Sequence, residues 1–335
     1  MRRTVNGAHQ QNPYSLYSYY FLTEGDAPAT FSTLPRSATA GDPIDEVIAQ
    51  SVVDNDAFCW YEGGRSFYDS EQISSGRNYT LTLPGYAISD AQPSRSVKVN
   101  WDVANANATT SALASLVNVE SGYTLSRGTI PLTSEEGVSA HGYRAEFTTE
   151  VFTSEKVRLK VTSTDPSARL DYIRINYPQR LSASNPLASF SPDKAGAVTL
   201  RISNASSSTA VWQLTSGNAV AAALPSQLDG TTLTVEAPDG KQRFVIVDTE
   251  ATYKSPEIVG DVANQNLHAD AGIQYVIIVP SSGKLDEQAE RLAEFHRAHD
   301  GLTAKVVRAS DLYNEFSSGT PDATAYRRYL KMLYD

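Results

Sequence analysis

A chain of 335 residues, 41% hydrophobic and 20% charged, has the composition of an ordinary folded protein and is long enough for two or three domains. Its net charge of −10 excludes the basic excess that a nucleic-acid or anionic-membrane surface needs. The single cysteine, Cys59, excludes an internal disulfide and a cysteine-based zinc site.

No apolar run reaches the roughly 20 residues that span a bilayer. The opening "MRRTVNGAHQQNPYSLYSYYFL" lacks the apolar core of a signal peptide, so a cytoplasmic chain or an internal piece of a longer one is expected. Period-two alternation then recurs. Tyr79, Leu81 and Leu83 share one face of "NYTLTLPGY", and Val97, Val99, Trp101 and Val103 share one face of "SVKVNWDV". The pattern returns at Tyr143, Ala145 and Phe147, at Val157, Leu159 and Val161, and at Ile173, Ile175 and Tyr177. Strands with one wet and one dry face pack as two antiparallel sheets, so residues 1–180 read as a β-sandwich of jelly-roll type.

The turn-rich "PQRLSASNPLASFSPDKAG" marks a boundary. Beyond it, "AVTLRIS", "AVWQLT", "TLTVEA" and "RFVIVDT" read as strands of a small β unit over 181–262. Asp239-Gly240 is expected to supply the positive φ of a tight hairpin between the last two. About four strands make a sandwich only by leaning on a neighbour.

At Tyr275 the pattern changes. "YVIIV" is apolar on both faces, as a central parallel strand is. Ser281 or Ser282 is expected to cap a helix with the stripe Leu285, Ala289, Leu292 and Phe295 or His296, ended by Gly301. "TAKVV" is then the second strand, and a helix after Pro321 turns Ala323, Tyr326, Leu330 and Leu333 inward. Residues 263–335 thus read as the opening of an α/β domain whose sheet is truncated, open to weak dimerisation through its edge.

"YVIIVP", "QAERLAEFHRAHDGLTAKVV" and "DLYNEFSSGTPDATAYRRYLKMLY" resemble the start of the gingipain-type cysteine peptidase domain, and "NPYSLYSYYFLTE" and "LDYIRINYPQRL" resemble stretches upstream of it. The resemblance implies a caspase-like α/β fold that uses a His and a Cys, with calcium in several members. It points to the branch that acts as sortase of the type IX secretion system in Bacteroidetes, cleaving C-terminal signals of exported proteins at the cell surface and outer membrane. Expected partners are then the remainder of the catalytic domain and outer-membrane secretion components. Both catalytic residues lie downstream of the matched motifs, so no catalytic, cofactor-binding or metal residue is carried onto this chain, and no cofactor is expected in it.

The remaining chemistry-bearing residues read as structural. Cys59 is expected as a small apolar residue of a sandwich strand, shielded and inert. His296 and His299 have a metal-ligand spacing but lack a third ligand; helix-end imidazoles more often meet terminal carbonyls. His268 and Asp270 read as a hydrogen-bonded loop, since no nucleophile adjoins them. "DNDAFCWYEGG" and "DVANAN" cluster oxygen ligands without EF-hand spacing. The rival function is a carbohydrate- or protein-binding sandwich module, with Trp60, Trp101 and Trp212 as stacking faces. Exposed tryptophans favour that rival, and buried ones favour a scaffold.

Overall fold

A computed structural model describes residues 3–5, 8–10, 14–15, 17–23, 32–34, 41–60, 67–89, 91–92, 94–106, 110–119, 122–133, 141–152, 155–215 and 220–335. The chain divides into two compact units, one of residues 1–27 with 255–335 and one of residues 28–254.

The first unit opens with β1 (Arg3–Val5) and β2 (Ala8–Gln10), an antiparallel pair. In the second unit, β3 (Ser32–Thr33) and β4 (Asp42–Ile44) precede a run of eight strands. These are β5 (Glu46–Asp54), β6 (Arg77–Thr82), β7 (Ser94–Asn105), β8 (Thr110–Asn118), β9 (Thr124–Leu132), β10 (His141–Phe152), β11 (Lys156–Ser163) and β12 (Arg169–Arg180). They form two four-stranded antiparallel sheets, ordered β10-β7-β12-β5 and β6-β11-β8-β9. Taken in sequence, the first, eighth, third and sixth strands share one sheet and the rest share the other, which is jelly-roll topology.

The alternation read from sequence is the core. Leu81, Leu83, Val97, Val99, Trp101, Val103, Leu159, Ile173, Ile175 and Tyr177 are all buried between the sheets. Each aliphatic side chain buried there contributes about 1.5–3 kcal/mol. Tyr143 lies in β10, but its side chain is outside the described residues.

Beyond residue 181 stand β13 (Val198–Ile202), β14 (Thr209–Leu214), β15 (Val220–Ala223), β16 (Ser226–Asp229), β17 (Thr232–Ala237) and β18 (Arg243–Asp248); the four strands expected there are β13, β14, β17 and β18, and β15 and β16 are additional. They form sheets ordered β16-β17-β13-β4 and β18-β14-β15-β3. Two edge strands therefore come from upstream, pairing in parallel with β13 and β15. The support that a four-stranded unit requires is recruited from residues 32–44. Both cores lie in one compact unit, joined where β5 and β12 run side by side: Val47 and Leu181 belong to the second core, whereas Ala49 and Tyr177 belong to the first.

Asp239-Gly240 does not turn a hairpin, because β17 and β18 belong to different sheets. Gly240 is not among the residues with positive φ. Its role is close approach, since a Cβ there would sit 2.6 Å from the Lys194 carbonyl oxygen.

The first unit resumes with β19 (Tyr275–Val279), α1 (Asp286–His299), β20 (Ala304–Arg308), α2 (Ala309–Phe316) and α3 (Thr324–Tyr334). The two strands pair in parallel, Tyr275 opposite Ala304 and Val279 opposite Arg308. The face under α2 and α3 is a small core of Val307, Leu312, Phe316, Ala325 and Tyr329.

Both helix stripes are met in part: Ala289 of α1 is buried, and Tyr326 and Leu333 of α3 pack against the small core. The buried positions of α1 are Ala289 and Ala293, and Leu285, Leu292 and Phe295 are exposed. In α3 the buried pair is Ala325 and Tyr329, and Leu330 is exposed. No serine side chain caps α1; Leu285 occupies the cap. Residues 14–23, read as part of the sandwich, belong instead to this unit, where Tyr19 and Phe21 pass within 3.2 and 3.3 Å of the Cβ position of Gly319.

Trp101 is wholly buried, and its indole N–H has no hydrogen-bond partner among the described residues. Trp101→Ala is therefore expected to cost about 3–5 kcal/mol in urea unfolding, and Trp101→Phe clearly less. A cost below about 1 kcal/mol for the alanine variant would remove Trp101 from the centre of the core.

Candidate functional site

Parallel α/β sheets place ligand sites at the carboxyl ends of their strands. Here that end carries a groove of about 450 Å³, lined by Val279, Pro280, Ser281, Ala309, Tyr313 and Tyr326. The Tyr313 and Tyr326 rings stack with centroids 5.6 Å apart, and their hydroxyls are directly hydrogen-bonded. Burial, with that hydrogen bond adding to it, pushes the Tyr313 phenol up to about 12. The lining holds hydroxyls but no His, Cys or carboxylate. Among the described residues, that lining offers no nucleophile–base pair.

The neighbouring charged groups hold the unit together. His268 and Asp270, two positions apart, take different partners. His268 Nδ1 lies 2.6 Å from Glu315, and its ring stacks on Phe316 at 4.4 Å. Asp270 binds Lys305 at 2.5 and 2.6 Å and accepts a 2.8 Å hydrogen bond from the Tyr329 hydroxyl. Burial raises the Tyr329 phenol, and its bond to the Asp270 carboxylate raises it further. Burial pushes the Glu315 carboxyl upward too. The Leu267 and His268 backbone N–H groups, the Gln265 amide and His268 outweigh it and leave Glu315 below its ordinary value. The structural role of Glu315 had no local signal, because Leu267 lies 48 positions away.

His296 and His299 both direct Nδ1 at Asp300, at 2.6 and 2.7 Å. These bonds, His299 first, hold the Asp300 carboxyl below its ordinary range. The pair is thus joined through a carboxylate at the end of α1.

In the other unit, Cys59 is half-exposed in an irregular stretch, not in a strand as its apolar neighbours suggested. Phe58 makes a single bridge with Tyr68, Trp60 packs edge-on against both rings, and the Arg169 guanidinium lies 3.7 Å from the Phe58 centroid. Aromatic contacts, not a continuing ladder, order this segment. Trp101 is core, and neither Trp60 nor Trp212 is fully exposed. That arrangement favours a scaffold over a glycan platform.

Among the described residues, one group of three or more metal-ligating side chains lies close enough to share an ion: Asp54, Asp56 and Asp171, with carboxylate oxygens within 4.8 Å of one another. An all-oxygen set suits a hard cation such as calcium. Each of the three also has interactions with other groups of the chain. The first two were visible in "DNDAFCWYEGG"; Asp171 was not, because the bulge between Leu170 and Tyr172 in β12 brings it there.

With this geometry in place, comparisons give the chain its relatives. Residues 268–335 match the sequence profile of Peptidase family C25. The whole fold is similar to a crystal structure of dimeric latent PorU from Porphyromonas gingivalis, with a TM-score of 0.71 and 24% identity over 92% of this chain. The fold is PorU-like. The chain spans 30% of that PorU chain. A carbohydrate-binding module of Cellvibrio mixtus lichenase 5A, in complex with cellotriose, is similar over 30% of this chain and 69% of that one, with 16% identity and a TM-score of 0.21. That score carries no argument. No curated protein matches the chain in sequence. The family match falls on the β19–α3 segment, and the PorU-like fold extends to the sandwiches.

The Glu315 carboxyl has a folded pKa below its unfolded one, so its contribution to stability is present above the unfolded value and lost as pH falls through the folded value. Unfolding of the α/β unit, followed by hydrogen exchange at Leu267, should become easier below about pH 4.5. Glu315→Gln should cost about 1–3 kcal/mol at neutral pH and flatten that acid limb. An unchanged acid limb in the variant would assign the effect to other carboxylates.

Proposed function

We propose that this chain is the β-rich, non-catalytic region and opening βαβ unit of a secreted gingipain-type cysteine peptidase. The parent activity in this reading is that of a sortase, which cleaves the C-terminal signals of exported proteins at the outer membrane of a Bacteroidetes-type cell. The observation that carries it is the Peptidase family C25 match of residues 268–335, seated on a fold that is PorU-like over 92% of the chain. The carboxyl-end groove, with paired tyrosines and no nucleophile, supports a part that orients the catalytic centre without containing it. The free edges of the β19–β20 pair are where the remainder of the catalytic domain would add its strands. The sandwiches then position that domain and offer surface to outer-membrane secretion components. Calcium, if the parent uses it, belongs to the same reading.

The purified chain is expected to show no thiol-dependent hydrolysis of Arg, Lys or generic peptide substrates, with or without calcium. Among the described residues, the aromatic group next to Cys59 holds no imidazole and the α/β groove no cysteine. Turnover that disappears in Cys59→Ala would overturn the assignment of this region as non-catalytic.

A further inference from the structure

The jelly roll leaves two of its edges facing one space. β5 ends one sheet and β6 ends the other, and a groove of about 620 Å³ lies between them. The hydrogen-bonding parity of both strands follows from single bonds near their ends. Leu181 N–H donates to the Asp45 carbonyl at 2.8 Å, so the odd-numbered residues of β5 turn their backbone groups to β12. Ile48, Gln50 and Val52 therefore turn theirs outward. Leu83 N–H donates to the Glu155 carbonyl at 2.6 Å, so Thr80 and Thr82 of β6 likewise turn outward, away from β11. Gln50, Val52, Thr80 and Thr82 all line the groove. Both walls thus present main-chain donors and acceptors at strand spacing that are unpaired among the described residues.

The floor is fixed in advance. Tyr177 and Gln179 are buried there, the tyrosine hydroxyl donating to Gln179 Oε1 at 3.0 Å and the Gln179 amide donating to the Asn185 carbonyl at 2.9 Å. No charged residue lines the groove among the described residues, which disfavours an anionic or cationic ligand. A sugar needs an exposed aromatic face; the one aromatic ring in the lining is Tyr177, 2% exposed. An extended polypeptide needs what the walls offer, alternate backbone donors and acceptors.

We propose that the groove between β5 and β6 is a strand-addition site that takes one extended, uncharged polypeptide segment, paired through its backbone with Gln50 and Val52. Neutral small or hydroxyl side chains of that segment fit the Thr80, Thr82 and Gln179 surroundings. The assignment is independent of the peptidase reading, since it uses only the geometry of the sandwich.

The test is selection of uncharged ten-residue peptides from a displayed library on the full chain, followed by calorimetry with the enriched peptide. Binding should fall at least tenfold when alternate peptide nitrogens are methylated, and stay unchanged when the intervening ones are. Val52→Pro should produce a similar loss, because its N–H faces the groove and its replacement leaves the ladder to β12 intact. The methylation series on the unaltered chain decides the matter if that variant fails to fold. No enrichment, or binding indifferent to both methylation and Val52→Pro, overturns the proposal. So does maltohexaose binding that competes with the peptide, which would make the groove a glycan site. Self-association abolished by Val52→Pro, without peptide binding, would give the edge to a second copy and overturn it equally.

Discussion

The body of residues 28–254 depends on the two-sided pairing of β12. This twelve-residue strand lies between β7 and β5, so its backbone is satisfied on both edges while Leu170, Ile173, Ile175 and Tyr177 fill the first core. Its opposite face carries a polar ladder. Asn176 donates to Asn100 at 3.0 Å, Asn100 donates to Glu146 at 2.9 Å, and Lys98 meets Glu146 at 2.8 Å. The exposed ion pair adds little stability, but the contrast between faces fixes register, because a one-residue slip would bury the ladder and expose the core. The same strand then passes into the second core through Leu181 and supplies the rigid floor of the groove through Tyr177 and Gln179. Burial and the Glu155 charge push the Tyr177 phenol up to about 12, so at neutral pH it stays a hydrogen-bond donor.

Much of the sandwich was legible because period-two alternation is written directly in the side chains, as at Val97–Val103 and Ile173–Tyr177. Short strands were not. β3 and β4 are two and three residues long, and each acquires its strand character only by pairing in parallel with a partner more than 150 positions downstream. Local propensity contains no trace of such a pairing. The same limit explains Asp239-Gly240. The dipeptide is a hairpin signal when both flanking strands share a sheet, and here they diverge into different sheets. Cys59 shows the converse error, where apolar neighbours come from an aromatic cluster and not from a strand.

In the α/β unit, element order was legible and helix orientation only in part. α1 keeps Ala289 and Ala293 inside and leaves Leu285, Leu292 and Phe295 exposed. Polar constraints do the remaining positioning. Glu315 gathers the Leu267–His268 turn, and Asp270 joins Lys305 of β20 to Tyr329 of α3. These residues combine strand, turn and helix ends in one hydrogen-bonded network. What lies at the strand ends is a pair of hydrogen-bonded phenols.

Free edges are a hazard in β proteins, usually blunted by lysine, proline or bulges. The outward positions of β5 that border the groove are Gln50 and Val52, and those of β6 are Thr80 and Thr82, none of them a blunting residue. Their protection is geometric. Because the two edges face a common recess, a flat sheet of another molecule cannot lie along either one without meeting the opposite wall. A single extended strand meets no such obstacle, and its side chains alternate between the groove and solvent. The recess therefore discriminates by shape against aggregation while leaving the main-chain groups available to one narrow partner. Discrimination of that kind needs no charge, which accords with the wholly neutral lining.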